Sequence, residues 1–139
     1  MRTLGAGKAS PDIAKFLAAP AFAVVGASND KNKFGYKCFD CYLKNSMKAY
    51  PVNPRGETVL GQQAYKRLSD LPEKVESVSI ITPPVVTEAV VEEAINLGVK
   101  NLWMQPGADS QAAVEKAEAA GLNVIYGGPC LLVELGYFS

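Results

Sequence analysis

The sequence predicts a doubly wound α/β fold with five mainly parallel strands, in the expected order 3-2-1-4-5. Short apolar runs alternate with helical segments along the whole chain, and this alternation is typical of a parallel sheet with right-handed crossovers. A chain of 139 residues that is 48% hydrophobic can bury the core of one domain without disulfides or metals. We therefore expect residues 1–139 to form a single domain, with residues 1–10 as a flexible tail.

The first half of the chain supplies two strands and two helices. Ser10-Pro11 predicts a helix start, because serine caps a helix and proline fits its first position. An apolar run predicts a strand at 22–26, followed by a polar loop and a helix over 35–45. The second strand is expected at 47–52. Turn residues from 53 to 71 then predict a long irregular connection.

The second half repeats the strand and helix pattern. A third strand is predicted at 77–81, and two prolines after it begin a helix that ends at Gly98. The fourth strand spans 101–104, Asp109 or Ser110 caps a helix through Ala120, and the fifth strand spans 122–126. The elements together predict a five-stranded, Rossmann-like sheet.

Segments of unusual composition follow each predicted strand. Sheets of this class bind ligands outside the carboxyl ends of their strands, at the point where the strand order reverses. The five strand ends carry residues 26–28, 53–55, 82–84, 105–107 and 127–130. We expect these segments to share one rim and to form a single binding site.

The first two segments favour a phosphorylated ligand. Gly26 permits a tight turn close to a phosphate, the helix near Gly35 offers free amides, and Ser28 and Lys33 add a hydroxyl and a charge. A glycine that only makes the turn remains the alternative. The spacing from Gly26 to Gly35 differs from the Gly-x-Gly-x-x-Gly pattern and counts against NAD.

The second strand ends in Asn53-Pro54-Arg55 instead of the acidic residue that binds ribose hydroxyls in NAD-binding folds. Arg55 can bind a phosphate through two hydrogen bonds, so the segment favours a phosphorylated ribose, with a plain turn as the alternative. Residues 30–56 hold six basic and two acidic residues, a bias that attracts an anion. Six cations are too few to predict a nucleic-acid groove.

Histidine and cysteine usage limits the possible chemistry. The chain has no histidine, which removes the commonest general base and phosphohistidine chemistry. Cys38 and Cys41 fall within a predicted helix and are expected to be core thiols, and no metal site is expected. Cys130 follows the fifth strand and could face a thiol-bearing ligand or be a small buried side chain. No apolar run is long enough to predict a membrane span.

The motifs together resemble the CoA-binding domain family. The resemblance lies in Val-Val-Gly26-Ala27-Ser28 with Lys33 and Gly35-Tyr36, in Tyr50-Pro-Val-Asn53-Pro54-Arg55-Gly56, in Leu60-Gly61 and in Thr82-Pro83-Pro84, and covers residues 13–137. It implies that the phosphates are held by Gly26, Ala27, Ser28, Lys33, Gly35 and Tyr36. It further implies that Asn53, Pro54 and Arg55 frame the adenosine 3′-phosphate, and that the pantetheine passes Thr82, Pro83, Pro84, Gln105, Pro106 and Gly107.

Related domains occur in ADP-forming acyl-CoA synthetases and in the succinyl-CoA synthetase alpha subunit, which the resemblance links to a phosphohistidine and to nucleotide-grasp domains. Because the chain has no histidine and no length for a second domain, we expect binding without catalysis. The expected function is a non-catalytic coenzyme A or acyl-CoA binding module, acting as a carrier, a sensor or a subunit of an assembly.

Two other hypotheses stay open. A small NADP-linked oxidoreductase or redox regulator could use the same rim, and Cys130 could form a mixed disulfide with coenzyme A under oxidising conditions. We expect a cytoplasmic protein that binds neither membranes nor nucleic acid and that forms a homodimer or joins a partner protein. Organelle targeting through the basic first ten residues is a further alternative.

Overall fold

A computed structural model describes residues 11–137. The expected tail at 1–10 and the cap at Ser10 lie outside this range. The helices are α1 (Pro11–Leu17), α2 (Phe34–Lys44), α3 (Pro84–Asn96), α4 (Gln111–Ala119) and α5 (Leu131–Glu134), with a 3-10 turn at Leu68–Asp70. The strands are β1 (Phe22–Val25), β2 (Ala49–Val52), β3 (Thr58–Val59), β4 (Gln62–Gln63), β5 (Ser77–Ile80), β6 (Asn101–Met104) and β7 (Asn123–Ile125).

Five strands form an all-parallel sheet in the order β2-β1-β5-β6-β7. This confirms the five-stranded, Rossmann-like α/β fold. All four residues of β1 are buried because helices cover both faces of the sheet. Phe22 and Val24 face one apolar cluster, and Ala23 and Val25 face the other.

The expected strand order 3-2-1-4-5 is wrong. Counted along the chain, the five strands of the large sheet lie in the order 2-1-3-4-5, so the third strand crosses to the far side of β1. The outer edge of β2 is instead occupied by Tyr65, whose amide donates to the Pro51 carbonyl at 2.9 Å. Pro51 has no amide proton to offer at this edge, and proline in a strand is typical of an edge position. Pro51 is therefore the signal in the sequence that places β2 outermost.

The connection after β2 contains an antiparallel hairpin, β3–β4, where an irregular segment was expected. Leu60 and Gly61 form its two-residue turn, both with positive φ (48° and 81°), as tight hairpins require. The Asn29 side chain accepts a hydrogen bond from the Leu60 amide at 3.3 Å. The hairpin therefore lies beside the loop between β1 and α2.

Aromatic side chains fill the face covered by α1, α2 and α5. Trp103, Phe16 and Tyr42 are fully buried there, and the Tyr42 hydroxyl lies 2.6 Å from the Ser79 hydroxyl. Cys38 and Cys41 are buried beside them and free, which confirms the prediction of core thiols. Burial raises the pKa of the Cys41 thiol to about 11 and that of Cys38 further, so both side chains stay protonated at neutral pH.

In the part of the chain that the structure describes, no helix is long and apolar enough to cross a membrane.

Candidate functional site

Two depressions open at the carboxyl end of β1 and meet at Gly26. The first, named here the polar pocket, has a volume of about 560 Å³, within the usual range for small-molecule sites. It is lined by Gly26, Ala27, Ser28, Asp30, Lys33, Phe34, Gly35, Asn53, Arg55, Glu57 and Ile81. Seven of the residues predicted for the phosphates and the ribose phosphate are among them.

The second depression, named here the apolar groove, lies on the other side of the turn after β2. Its volume is about 220 Å³, and its walls come from the ends of β1 and β2, from the connection and from α3. It is lined by Val25, Gly26, Val52, Pro54, Lys66, Arg67, Thr82, Val86, Ala89, Val90 and Glu93.

Gly26 lies where three backbone segments meet. Its φ is +98°, and a Cβ there would clash with the Ile81 carbonyl oxygen at the end of β5. A Cβ on Gly35 would clash in turn with the Gly26 carbonyl oxygen. The Gly26 and Ala27 amides both donate to the Val52 carbonyl, at 3.0 and 3.3 Å. The two glycines therefore let α2 begin directly against the ends of β1 and β5.

The loop from β1 leads to a helix end suited to an anion. Ser28 Oγ accepts from the Asp30 amide at 3.1 Å, and Asp30 Oδ1 accepts from the Asn32 amide at 3.0 Å. No side chain caps α2 at Lys33, and the Tyr36 amide donates to the Lys33 carbonyl at 3.2 Å. The two amides before it, those of Phe34 and Gly35, belong to residues that line the polar pocket and are the ones that a helix leaves for a ligand. Free amides and the positive end of the helix dipole favour phosphate binding.

Asn53 is held entirely by the protein. Its Nδ2 donates to the Ala27 carbonyl at 2.8 Å and to Glu57 Oε1 at 2.9 Å, and its Oδ1 accepts from the Arg55 amide at 2.7 Å. Both amide hydrogens are used in this way. Asn53 therefore joins the loop after β1 to the turn after β2 and sets the position of Arg55 and Glu57.

The polar pocket contains two cations and two carboxylates. Asp30 and Glu57 are engaged with the Asn32 amide and with Asn53. Among the ion pairs within 4.0 Å in residues 11–137, none includes Lys33 or Arg55. The charges left to meet a ligand are therefore positive, which suits a phosphorylated molecule.

The other predicted contacts spread over the rim. Pro54 and Thr82 line the apolar groove, and the Thr82 hydroxyl lies 2.7 Å from that of Thr87. Pro83 and Pro84 are exposed beside the groove, at the start of α3. Tyr36 is half-buried and lines neither depression.

Residues at the end of β6 hold the segment that carries Cys130. Trp103 Nε1 donates to the Pro129 carbonyl at 2.9 Å, and Gln105 Oε1 accepts from the Leu131 amide at 3.0 Å. Gln105 is fully buried and its Nε2 has no partner within residues 11–137, whereas Pro106 and Gly107 are exposed. Cys130 is half-buried between the two anchored residues. Gln105 therefore holds the loop that carries Cys130 in place.

Several site residues were not expected from the sequence. Glu57, Phe34 and Ile81 line the polar pocket, and Lys66 and Val86 line the apolar groove. Val86 has the apolar helical spacing of a core residue, yet it is 45% exposed. Nothing in the local pattern identifies Lys66, because its place depends on how the connection folds back along β2.

Comparison with known proteins identifies one domain family. The CoA binding domain family model matches residues 20–136. The chain is 40% identical over 82 residues to the alpha subunit of acetate–CoA ligase (ADP-forming) II of Pyrococcus furiosus, covering 58% of this chain and 18% of that protein. It is 31% identical over 87 residues to acetate–CoA ligase (ADP-forming) of Methanocaldococcus jannaschii, covering 62% and 12%. The chain thus spans less than a fifth of these relatives, to whose CoA-binding domains it is homologous.

Solved structures share the fold of this chain. A hypothetical protein from Pyrococcus horikoshii has a TM-score of 0.82 and 32% identity, covering 88% of this chain and 86% of that one. A conserved hypothetical protein from Pyrococcus furiosus has a TM-score of 0.77 and 34% identity, covering 82% and 97%. The dinucleotide-forming acetyl-coenzyme A synthetase 1 of Ca. Korarchaeum cryptofilum has a TM-score of 0.66 and 30% identity, covering 76% and 25%. The NADP alternative receives no support from these findings.

The close packing at Gly26 predicts an unusually large effect of one methyl group. We expect Gly26→Ala to lower the free energy of unfolding by more than about 3 kcal/mol, because the Cβ would clash with the backbone of Ile81. Gly121→Ala is the matched control: its φ is +85° with nothing within 4 Å of the added Cβ, so only the left-handed conformation costs about 1 kcal/mol. Denaturant unfolding measures both, and equal effects would contradict the packing argument.

Proposed function

The chain belongs to the CoA-binding domain family, and from that premise we propose that it binds coenzyme A or an acyl-CoA along the rim centred on Gly26. The observation that carries the proposal is the junction of the two depressions at this glycine. The polar pocket, whose two cations make no ion pair within residues 11–137, suits a diphosphate. The apolar groove next to it suits a flat base. One adenine nucleotide can span both.

In the proposed complex, the diphosphate lies in the polar pocket. The free amides at the start of α2 donate to it, and the helix dipole favours its charge. Lys33 and the Ser28 hydroxyl add a cation and a donor at the same pocket. The small size of Gly26, Ala27 and Gly35 leaves room for the diphosphate. A Cβ at either glycine would clash with backbone atoms.

The adenosine lies across the turn after β2. Val52, Pro54 and Val86 offer apolar walls for the base in the apolar groove, and burial of a flat ring there is favourable. Arg55 stands on the polar-pocket side of the turn, where it can bind the ribose 3′-phosphate with two parallel hydrogen bonds. Asn53 fixes the turn through its side-chain hydrogen bonds and so holds both the wall of the groove at Pro54 and the position of Arg55.

The pantetheine continues along the rim towards β6. Pro83 and Pro84 present an exposed wall without amide donors, and Pro106 and Gly107 are exposed at the end of the next strand. Cys130 stands beyond them on the segment that Trp103 and Gln105 anchor. We place the thiol end of the ligand near Cys130.

We propose that this chain acts by binding, as a carrier, a sensor or a subunit, and has no ligase activity by itself. The named relatives are ligases, and the resemblance links such enzymes to a phosphohistidine. This chain has no histidine to accept a phosphoryl group. Asp30, Glu57 and Lys33 line the polar pocket at the proposed phosphate end, away from the proposed position of an acyl group.

Isothermal titration tests the binding proposal. We expect coenzyme A to bind, dephospho-CoA to bind more weakly, and Arg55→Ala to weaken coenzyme A binding at least tenfold, about 1.4 kcal/mol, because the variant loses the phosphate contact. Lys15→Ala, an exposed change on α1, is the control for lost charge. Binding of NADP without coenzyme A, or of neither ligand, would refute the proposal. Equal affinities for coenzyme A and dephospho-CoA would refute only the role of Arg55.

An activity assay tests the absence of ligase activity. Purified protein is incubated with acetate, ATP and coenzyme A, and we expect no acetyl-CoA or ADP above the protein-free blank. The positive control is the complete Pyrococcus furiosus acetate–CoA ligase (ADP-forming) II. Turnover that co-purifies with this chain would contradict the proposal.

Thiol labelling tests the position of the ligand's thiol end. At pH 8 we expect a disulfide reagent to label Cys130 first, because burial keeps the pKa of Cys41 near 11 and that of Cys38 higher, so little thiolate forms there. Dephospho-CoA and coenzyme A, each previously blocked at sulfur, should slow this labelling. Cys130→Ser should remove the fast phase. An unchanged labelling rate at saturating ligand would place Cys130 outside the site.

A further inference from the structure

Lys66 lies at the apolar groove, although its sequence context does not point to it. Building on the proposed function, we propose that Lys66 is a specificity-determining residue that binds the phosphomonoester on the ribose of the adenine nucleotide. Lys66 and Arg55 would then approach this phosphate from opposite sides of the turn at 53–56.

The backbone beside Lys66 is fixed. The preceding residue, Tyr65, donates its amide to the Pro51 carbonyl at 2.9 Å and accepts from the Asn53 amide at 2.8 Å. These bonds extend the sheet edge past the end of β2. Lys66 therefore leaves a rigid edge directly beside the turn that carries Arg55.

The side chain of Lys66 lies against Gly56. A Cβ on Gly56 would come within 3.2 Å of Lys66 Cε and 3.5 Å of its Cγ, so the aliphatic stem crosses the place that any other residue would fill. Gly56 also has a φ of +65° and donates to the Asn53 carbonyl at 2.9 Å, closing the turn. Packing of the stem limits the positions open to the ammonium group.

Lys66 makes no ion pair in the part of the chain that the structure describes, and the carboxylate that lines the same groove, Glu93, accepts from the Ser69 amide at 3.2 Å. No carboxylate within residues 11–137 pairs with Lys66 inside 4.0 Å, whereas its neighbour Arg67 lies 3.8 Å from Asp70. A free cation at the edge of an apolar groove is suited to an anion carried by a flat, apolar group. An adenosine with a phosphate on its ribose has this combination.

Lys66 and Arg55 line different depressions. Lys66 and Pro54 line the apolar groove, and Arg55, which follows Pro54 in the turn, lines the polar pocket. A base in the apolar groove and a diphosphate in the polar pocket require the ribose to cross this turn. The ribose phosphate would then meet a cation from each side, while the diphosphate is served by Lys33 and the start of α2.

The experiment compares Lys66→Met with the wild type by titration with coenzyme A and with dephospho-CoA. Methionine keeps an unbranched apolar stem against Gly56 and removes the charge. We expect the affinity for coenzyme A to fall about tenfold, the loss typical of one charge-assisted hydrogen bond, and the affinity for dephospho-CoA to stay unchanged. Lys74→Met, at the opposite end of the sheet, should change neither affinity. Thermal unfolding confirms that both variants are folded.

The outcomes separate this inference from the proposed function. If the wild type prefers coenzyme A and Lys66→Met keeps the full preference, Lys66 is not a ligand and Arg55 acts alone. Equal loss of both affinities would also overturn the inference, because it would indicate a general effect on the groove. If the wild type binds coenzyme A and dephospho-CoA equally, binding stands and the role of Lys66 falls. If it binds neither, the proposed function falls and this inference falls with it.

Discussion

The contact of three backbone segments at Gly26 is the constraint on which the rest of the site depends. The end of β5 lies against Gly26, and Gly26 lies against Gly35 at the start of α2, with no side chain between them. This contact brings the first amides of α2 over the end of β1, where the strand order reverses. The proposed ligand position is therefore a consequence of how tightly the sheet and the helix pack, because a looser contact would move the amides away from the rim.

Asn53 extends this constraint to the second strand. Its side chain bonds the loop after β1, the Arg55 amide and the Glu57 carboxylate, so the polar pocket and the turn beside it form one unit. The arrangement explains how a pocket with as many carboxylates as cations can favour an anion. Asp30 and Glu57 are held in local hydrogen bonds, while Lys33 and Arg55 have no ion pair within the described range.

Local patterns in the sequence predict the elements well and their arrangement less well. The alternation of apolar runs with helical spacing is a local property. It predicts the fourth strand at 101–104 and a cap at Asp109 or Ser110, and the structure has Ser110, whose Oγ accepts from the Ala113 amide at 3.0 Å. The order of the strands depends on which edge of the sheet each crossover reaches. In the local sequence, Pro51 is the residue that indicates an edge strand, because proline is typical of that position. The same limit applies to the site. Gly26 and Arg55 lie shortly after predicted strands, so the sequence identifies them. Lys66 lies at the site because the chain returns through the β3–β4 hairpin and Tyr65 then pairs with the end of β2.

The charged side chains and the reactive thiol lie at different ends of the rim. The charged side chains that line the polar pocket surround the proposed diphosphate, and the cations on either side of the turn face the ribose. At the far end, Trp103 Nε1 and Gln105 Oε1 make the hydrogen bonds that anchor the segment around Cys130. Cys130 is thus the nucleophile nearest the proposed thiol end. Its thiolate can attack the oxidised, disulfide form of the ligand and release the other sulfur as a thiol, whereas acyl activation needs a phosphoryl acceptor. In the proposed complex, the charged side chains of the rim therefore meet the nucleotide half of the ligand, and Cys130 is the reactive side chain placed near its other end.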